Sequence, residues 1–145
     1  MSPMQWWHVR VVANVANGST LIGMLVAVVG GAHLSRGPRG LVLATSYRWG
    51  FPGATAFTIG NVIISRKDIV DLVPRQRLLL HEEKHTWQYV ACLGLPMLPL
   101  YLLAAGYSWL RGGDFGVHNP FERLAGLEDG GYPLVSARER VRRPQ

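Results

Sequence analysis

Two stretches, 11–35 and 86–110, carry no Asp, Glu, Lys or Arg, and the segment between them follows a different hydrophobic rhythm. In the first, "ANGSTLIGMLVAVVGGAHLSRG" opens on cap-type residues (Asn17, Ser19, Thr20) and closes on Gly30 and Gly31. That pattern predicts a buried helix of roughly ten residues, followed by a turn at "SRGPRG". Over 41–65, "LVLATSYRW", "FPG" and "ATAFTIGNVIIS" are rich in β-branched and aromatic residues with turn residues between them. They predict two or three strands, with a turn or bulge at Gly60-Asn61.

The segment "RKDIVDLVPRQ" then leads into a long helix, with Pro74 in its first turn and Gly94 past its end, about 20 residues or 30 Å. A second helix is expected over about 95–110. "RGGDFGVHNP" is a loop, and "NPFERLAGLEDGG" starts a third helix, with Asn119 as N-cap, Pro120 in the first helical position, and Gly130 and Gly131 beyond the end. The expected fold class is α+β: a small antiparallel sheet packed on a long helix, with two or three further helices. One domain over 1–145 is implied, made of an apolar N-terminal helical segment (1–40), a core (41–131) and a basic tail (132–145).

Composition narrows the function classes. Hydrophobic residues make up 48% of the 145, which excludes wholesale disorder. The net charge is +6, and "ARERVRRPQ" at the end supplies half of it, as a frayed, solvated tail. Base-stacking motifs are not recognisable, so nucleic acid is not an expected partner. The single Cys92 excludes an internal disulfide or a multi-cysteine metal cluster and reads as a small buried hydrophobe. Both uncharged stretches are nominally long enough to cross a bilayer, but Asn14 and the 17–20 segment interrupt the first, and Gly94 and Pro96 break the second. The expectation is a cytoplasmic domain with a greasy surface suited to peripheral membrane contact, with Trp6, Trp7, Arg10, Arg36 and Arg39 as interfacial anchors.

The chemistry concentrates in "LLLHEEKHTWQYVACLG". His81 and His85, four apart on a helix, lie one turn apart on the same face and can reach one tetrahedral ion at about 2.0–2.1 Å, the geometry Zn²⁺ favours. Glu82 is rotated by about 100° from His81, so it flanks the ion without ligating it and can take a proton from an activated water. Glu83 is turned away and is expected as a surface charge. The helix is apolar on most of its circumference, so it is expected to be buried, and a buried His–Glu–His cluster needs partners or a metal.

A catalytic zinc needs a third protein ligand and one open position. Asp114, His118, Glu122, Glu128 and Asp129 are available downstream. Glu122 on the third helix is preferred, completing a His₂Glu set for one Zn²⁺, with His118 in reserve. Against it, Asn119 followed by Glu122 nearly matches a capping box, in which the carboxylate only bonds the N-cap backbone. His118, Asn119 and Tyr89 are candidate oxyanion donors or supporting groups; Tyr101, Tyr107 and Tyr132 are chemically able as well. The strand before the helix, Thr58, Ile59, Gly60 and Asn61, is the candidate edge for an extended peptide.

These residues resemble the zincin metallopeptidases of the gluzincin type, in which H-E-x-x-H is followed by a Glu ligand on a later helix. Here "HEEKH" is joined by "FERLA". The wider series "FTIGNVII", "LLLHEEKHTWQ", "LGLPMLPLYLL", "NPFERLA" is similar to small bacterial proteins built around the same motif. The resemblance covers about residues 56–125 and implies a minimal zincin-like core, His81, His85 and Glu122 as ligands, Glu82 as general base, and peptides or unfolded proteins as substrates. The expected function is a zinc-dependent metallopeptidase. The alternatives are a non-catalytic, metal-stabilised binding module and a membrane-associated scaffold.

Overall fold

The computed structural model describes residues 5–72 and 74–142. In chain order it contains α1 (Trp6–Ala16), α2 (Ser19–Val29), β1 (His33–Arg36), a 3-10 turn (Pro38–Gly40), β2 (Val42–Thr45), β3 (Ala56–Ile59), β4 (Val62–Ser65), α3 (Ile69–Leu72), α4 (Gln76–Ala91), α5 (Met97–Gly112), α6 (Pro120–Ala125) and α7 (Ala137–Arg142). The architecture is α+β, as the sequence predicts.

The sheet is mixed. Its order is β1-β2-β4-β3; β1/β2 and β3/β4 are antiparallel, while the central β2/β4 pair is parallel. This corrects the all-antiparallel expectation, and the reason is visible in "VIIS". All four residues of β4 are buried, because helices cover both faces. Val62 and Ile64 pack with Ala27 of α2, Tyr89 of α4 and Met97 of α5, while Ile63 packs with Leu72 of α3 and Leu79 of α4. A continuous apolar run is what a strand buried on both faces requires. The β3–β4 hairpin turns at Gly60-Asn61, with Gly60 at φ +62°, a conformation that glycine adopts without a Cβ clash.

Several helices differ from the sequence reading. α2 has the expected length, 11 residues, but only Ser19, Thr20, Gly23 and Ala27 are buried, so it is a half-exposed greasy helix, not a buried one. α4 is 16 residues, shorter than expected, because Pro74 precedes it and the chain leaves the helix at Cys92, before Gly94. α6 stops at Ala125 and not near Gly130. The basic tail forms α7 up to Arg142, docked where Arg138 Nη1 donates to the Leu110 carbonyl (2.6 Å) and the Ala137 amide donates to Asp114 (3.1 Å). Residues 143–145 of that tail lie outside the described residues. Among the described residues no single helix is long and apolar enough to cross a membrane; α1 and α2 pass that test only as a pair, bent by 73°.

α1 grips the back of α4 through polar groups. Arg10 and Asn14, one turn apart, are fully buried. Arg10 donates to Thr86 Oγ1 (2.8 Å), and Asn14 Nδ2 donates to the Thr86 carbonyl (2.9 Å) and to Asn61 Oδ1 (3.1 Å). Asn61 in turn donates to the Val11 carbonyl (3.1 Å). Glu83 belongs to this assembly and is no free surface charge: its carboxylate takes the Arg39 guanidinium, with Nε 2.8 Å from Oε1, and lies 3.9 Å from Arg10. With its rear face fixed in this way, α4 presents its opposite face, with His81 and His85, to α6.

Candidate metal centre

His81, Glu82, His85 and Glu122 are each no more than 6% exposed. α4 places the two imidazoles one turn apart, and α6 crosses so that Glu122 meets both. His81 Nε2 lies 2.9 Å from Glu122 Oε2, His85 Nε2 lies 3.3 Å from it, and the two Nε2 atoms are 3.1 Å apart. Ligand atoms held 2.0–2.1 Å from a common tetrahedral ion are about 3.3 Å from one another. The three atoms form a group that could hold a metal ion.

Hydrogen bonds behind the rings select the nitrogen that faces inward. His81 Nδ1 is 2.8 Å from the Gly126 carbonyl, an acceptor only, so this nitrogen donates. His85 Nδ1 is 2.8 Å from Gln88 Oε1, and Gln88 Nε2 donates to the Phe121 carbonyl at 2.9 Å. That bond fixes the amide with its oxygen toward His85, so Nδ1 of His85 donates too. In the neutral rings both Nε2 atoms then carry lone pairs aimed at Glu122 Oε2, a buried carboxylate oxygen that finds no hydrogen-bond donor. Three acceptors converging without a donor is the donor set a cation requires, and outward Nδ1–H bonds of this kind are how ligating histidines are held.

The second carboxylate oxygen, Oε1 of Glu122, accepts from the Tyr101 hydroxyl. Burial raises the Glu122 pKa, but the adjoining His81 and His85 rings, once a proton sits between them and Oε2, and the Tyr101 hydroxyl outweigh it and hold the carboxyl well below the usual carboxylate range. Burial lowers His85, yet its bond to Glu122 and the charge of Glu82 carry it up to about 9. A proton on His85 Nε2 therefore supplies the donor that Glu122 otherwise lacks, and an ion held by the trio would have to take the place of that proton. Burial also pushes the Tyr101 hydroxyl far up, with the Glu122 charge adding to it, so this group stays a donor.

Glu82 sits beside the trio and outside it. Its Oε2 accepts from Thr58 Oγ1 at 2.6 Å. Burial raises its pKa above the ordinary range, only partly offset by the charge of His85 and the Thr58 bond. It is a poised carboxyl, held by the neighbouring strand.

The capping-box alternative for Glu122 has a geometric answer. Asn119 is the N-cap: its Oδ1 accepts from the Phe121 amide (3.0 Å), while its backbone N–H donates to the Gly116 carbonyl (2.9 Å). No capping box forms, and the Glu122 carboxylate turns to the histidines. His118 does not join the group; its ring lies against Gly112 of α5 and its amide donates to Ser108 Oγ (2.9 Å). The Tyr89 hydroxyl is committed to the Thr58 carbonyl (3.0 Å).

The substrate-strand expectation fails at these four residues. α2 lies directly on Ile59, Gly60 and Asn61: a Cβ on Gly23 would sit 2.3 Å from the Ile59 carbonyl oxygen, and one on Gly60 would sit 2.4 Å from the Thr20 nitrogen. Thr58 directs its hydroxyl to Glu82 and its carbonyl to Tyr89. Other residues gain roles that the sequence reading did not assign. Gly130 lies flat on the His81 ring, where a Cβ would come within 2.4 Å of Cε1. Gln88, Thr58 and the Gly126 carbonyl orient the site residues; of these, only Gln88, three positions after His85, has a spacing that signals its role.

The fold and site therefore define a small α+β protein with a buried two-histidine, one-carboxylate group able to hold a metal ion. Comparison of the chain with family models, with curated proteins and with solved structures gives no match in any of the three.

Proposed function

We propose that this protein is a zinc-dependent metallopeptidase of the gluzincin type, with His81, His85 and Glu122 as ligands and Glu82 as general base. The observation that carries the reading is the convergence of His81 Nε2, His85 Nε2 and Glu122 Oε2 within 3.3 Å, both rings being oriented by outward Nδ1 bonds. A His₂Glu set leaves one position open on a tetrahedral zinc, and zinc so held supplies Lewis-acid polarisation and an acidified water. The chain's own residues do the rest. Glu82, raised by burial, accepts the proton from the attacking water and returns it to the leaving amine, while Thr58 holds the Oε2 atom of its carboxylate. Tyr101 fixes the Glu122 carboxylate, so that Oε2 is the oxygen presented to the histidines.

The test joins metal analysis to cleavage of an unfolded protein substrate. Purified protein is expected to carry one zinc per chain and to cut the substrate, with chelation abolishing the activity. Glu82→Gln is expected to keep the zinc and lose cleavage. Absence of zinc with His81→Ala leaving thermal stability unchanged overturns the metal site itself.

A second reading, a metal-stabilised module without turnover, is favoured by one observation: the trio and Glu82 are all buried, and the segment from Gly126 to Tyr132 covers the His81 side. Under that reading Glu82→Gln changes neither metal content nor any cleavage rate.

A further inference from the structure

α2 contains no charged residue, and only one of its faces is used by the fold. Gly23 and Ala27 face the sheet, while Leu21, Leu25, Val28 and Val29 on the other side are each more than half exposed. Among the described residues nothing covers them.

The apolar face extends through the loops at both ends of the helix. At its start, Gly94 packs against the side chain of Asn17, whose Oδ1 accepts from the Ser19 amide (3.0 Å), and the neighbouring Leu93 is 81% exposed. At its end, Gly30 lies under the Tyr47 ring and its carbonyl accepts from the Arg48 amide (2.9 Å). The loop that follows carries Trp49 and Phe51, the latter 77% exposed. This loop is tied in place: Arg66 donates to the carbonyls of Trp49 (3.0 Å from Nε) and Ala54 (2.7 Å), and to that of Pro52. A side chain as apolar as Phe51, held in water by a loop whose backbone Arg66 ties down on either side of it, calls for a partner.

Charge identifies the partner. The first 67 residues contain six Arg and Lys and no Asp or Glu; Arg10 is buried and Arg39 pairs with Glu83, which leaves Arg36, Arg48, Arg66 and Lys67 without an acidic residue in this part of the chain. Arg48 is exposed, and its side chain lies along Gly31, just past the end of α2. An uncharged apolar strip with Arg48, a Trp and a Phe at one end matches the headgroup and acyl boundary of an anionic bilayer. A protein partner with a matching groove would need no such exclusion of acids.

We propose that the outer face of α2, with Leu93 at one end and the Trp49–Phe51 loop at the other, docks this protein on anionic lipid surfaces. The inference does not rest on the metal site, and its test is independent of metal and turnover. Binding of the full chain is measured by co-sedimentation with vesicles of phosphatidylcholine alone and of phosphatidylcholine with about 30% phosphatidylglycerol. Binding is expected to the anionic vesicles and to weaken with salt. Leu25→Glu and Arg48→Glu are each expected to lower the partition coefficient by about tenfold or more, whereas Val70→Glu, on the exposed side of α3, leaves it unchanged. Unchanged thermal midpoints certify that the variants fold, and salt sensitivity of the wild-type protein provides a readout that needs no variant. Equal binding by Leu25→Glu and wild type overturns the proposal. So does a failure to bind either vesicle, including the outcome in which the chain forms a concentration-dependent dimer that Leu25→Glu dissociates.

Discussion

Gln88 Oε1 lies 2.8 Å from His85 Nδ1, and because the other end of that amide donates to the Phe121 carbonyl, the contact determines which imidazole nitrogen faces Glu122. One side chain thus links the orientation of a candidate ligand on α4 to the position of α6, which carries the third. Gln88→Leu removes both bonds without touching the three ligand atoms. The expected result is a 10–100-fold loss of zinc affinity, the usual scale for such supporting groups, measured by competition with a chromogenic chelator. Gln88→Glu restores an acceptor for His85 and is expected to recover most of the loss.

The elevated His85 gives the proposed metal binding a pH dependence of definite sign. In the metal-free protein His85 titrates at about 9, above the ordinary 6.5, so at neutral pH an ion must displace its proton. Apparent zinc affinity should therefore rise by up to about tenfold per pH unit from 7 and level off above 9. Stability of the metal-free protein runs the other way. The raised pKa contributes stability that is complete below 6.5 and disappears as pH passes through 9. The gap in thermal midpoint between zinc-loaded and chelated protein is expected to widen across that window, which calorimetry at pH 6, 7.5 and 9 would read.

How much of this was legible in the chain follows from which forces act locally. The α4 site residues and the α6 cap follow from spacing and from Asn119-Pro120, both local rules. The parallel β2/β4 pairing is non-local: Ala27 of α2, Met97 of α5 and Tyr89 of α4 cover one face of β4 while Leu72 of α3 and Leu79 of α4 cover the other, and the only trace in the sequence is the unbroken run Val62-Ile63-Ile64. The pairing of Glu83 is invisible to local patterning because its partners, Arg10 and Arg39, come from 73 and 44 positions earlier in the chain. The same distance hides Thr58, whose hydroxyl meets Glu82 from a strand that sequence patterning offered to substrate.

Thr58 gives a test specific to the proposed catalytic role of Glu82. Its hydroxyl stabilises the charged carboxylate, opposing the upward push of burial. Thr58→Val, similar in shape, removes that bond and should raise the Glu82 pKa further. Since a general base works deprotonated, the acid limb of the peptidase pH profile should move to higher pH, with zinc content unchanged. A profile that drops in height without moving would mean that Thr58 serves packing alone.

Gly130 constrains His81 from the side opposite α4's own backbone. Its φ is unremarkable, so the demand is for space: a Cβ would lie 2.7 Å from His81 Nε2 as well as 2.4 Å from Cε1. Gly130→Ala must push either the ring or the 126–132 segment away, and a displaced ring breaks the bond to the Gly126 carbonyl that orients it. Zinc stoichiometry below one per chain is expected, with a modest fall in thermal midpoint. Gly131→Ala, where a Cβ meets nothing within 4 Å, controls for backbone effects, although its φ of +80° carries its own strain of about 1 kcal/mol.

Asn14 offers the corresponding test of the scaffold behind the site. It is fully buried, and its amide bonds both the Thr86 carbonyl on α4 and Asn61 at the β3–β4 turn. Asn14→Leu puts an apolar side chain of similar size against two groups that then lose a donor in a dry interior. The Thr86 carbonyl keeps its helical bond, but Asn61 Oδ1 is left buried without this donor, which should cost about 1–3 kcal/mol, measured by denaturant unfolding. Thr86 is the residue immediately after His85, so loosening α1 from α4 should also weaken zinc binding, by less than the Gln88→Leu effect because α6 still holds the ligand face. Stability lost with zinc affinity fully retained would show that α4 keeps its position without α1, and that the buried polar seam serves folding only.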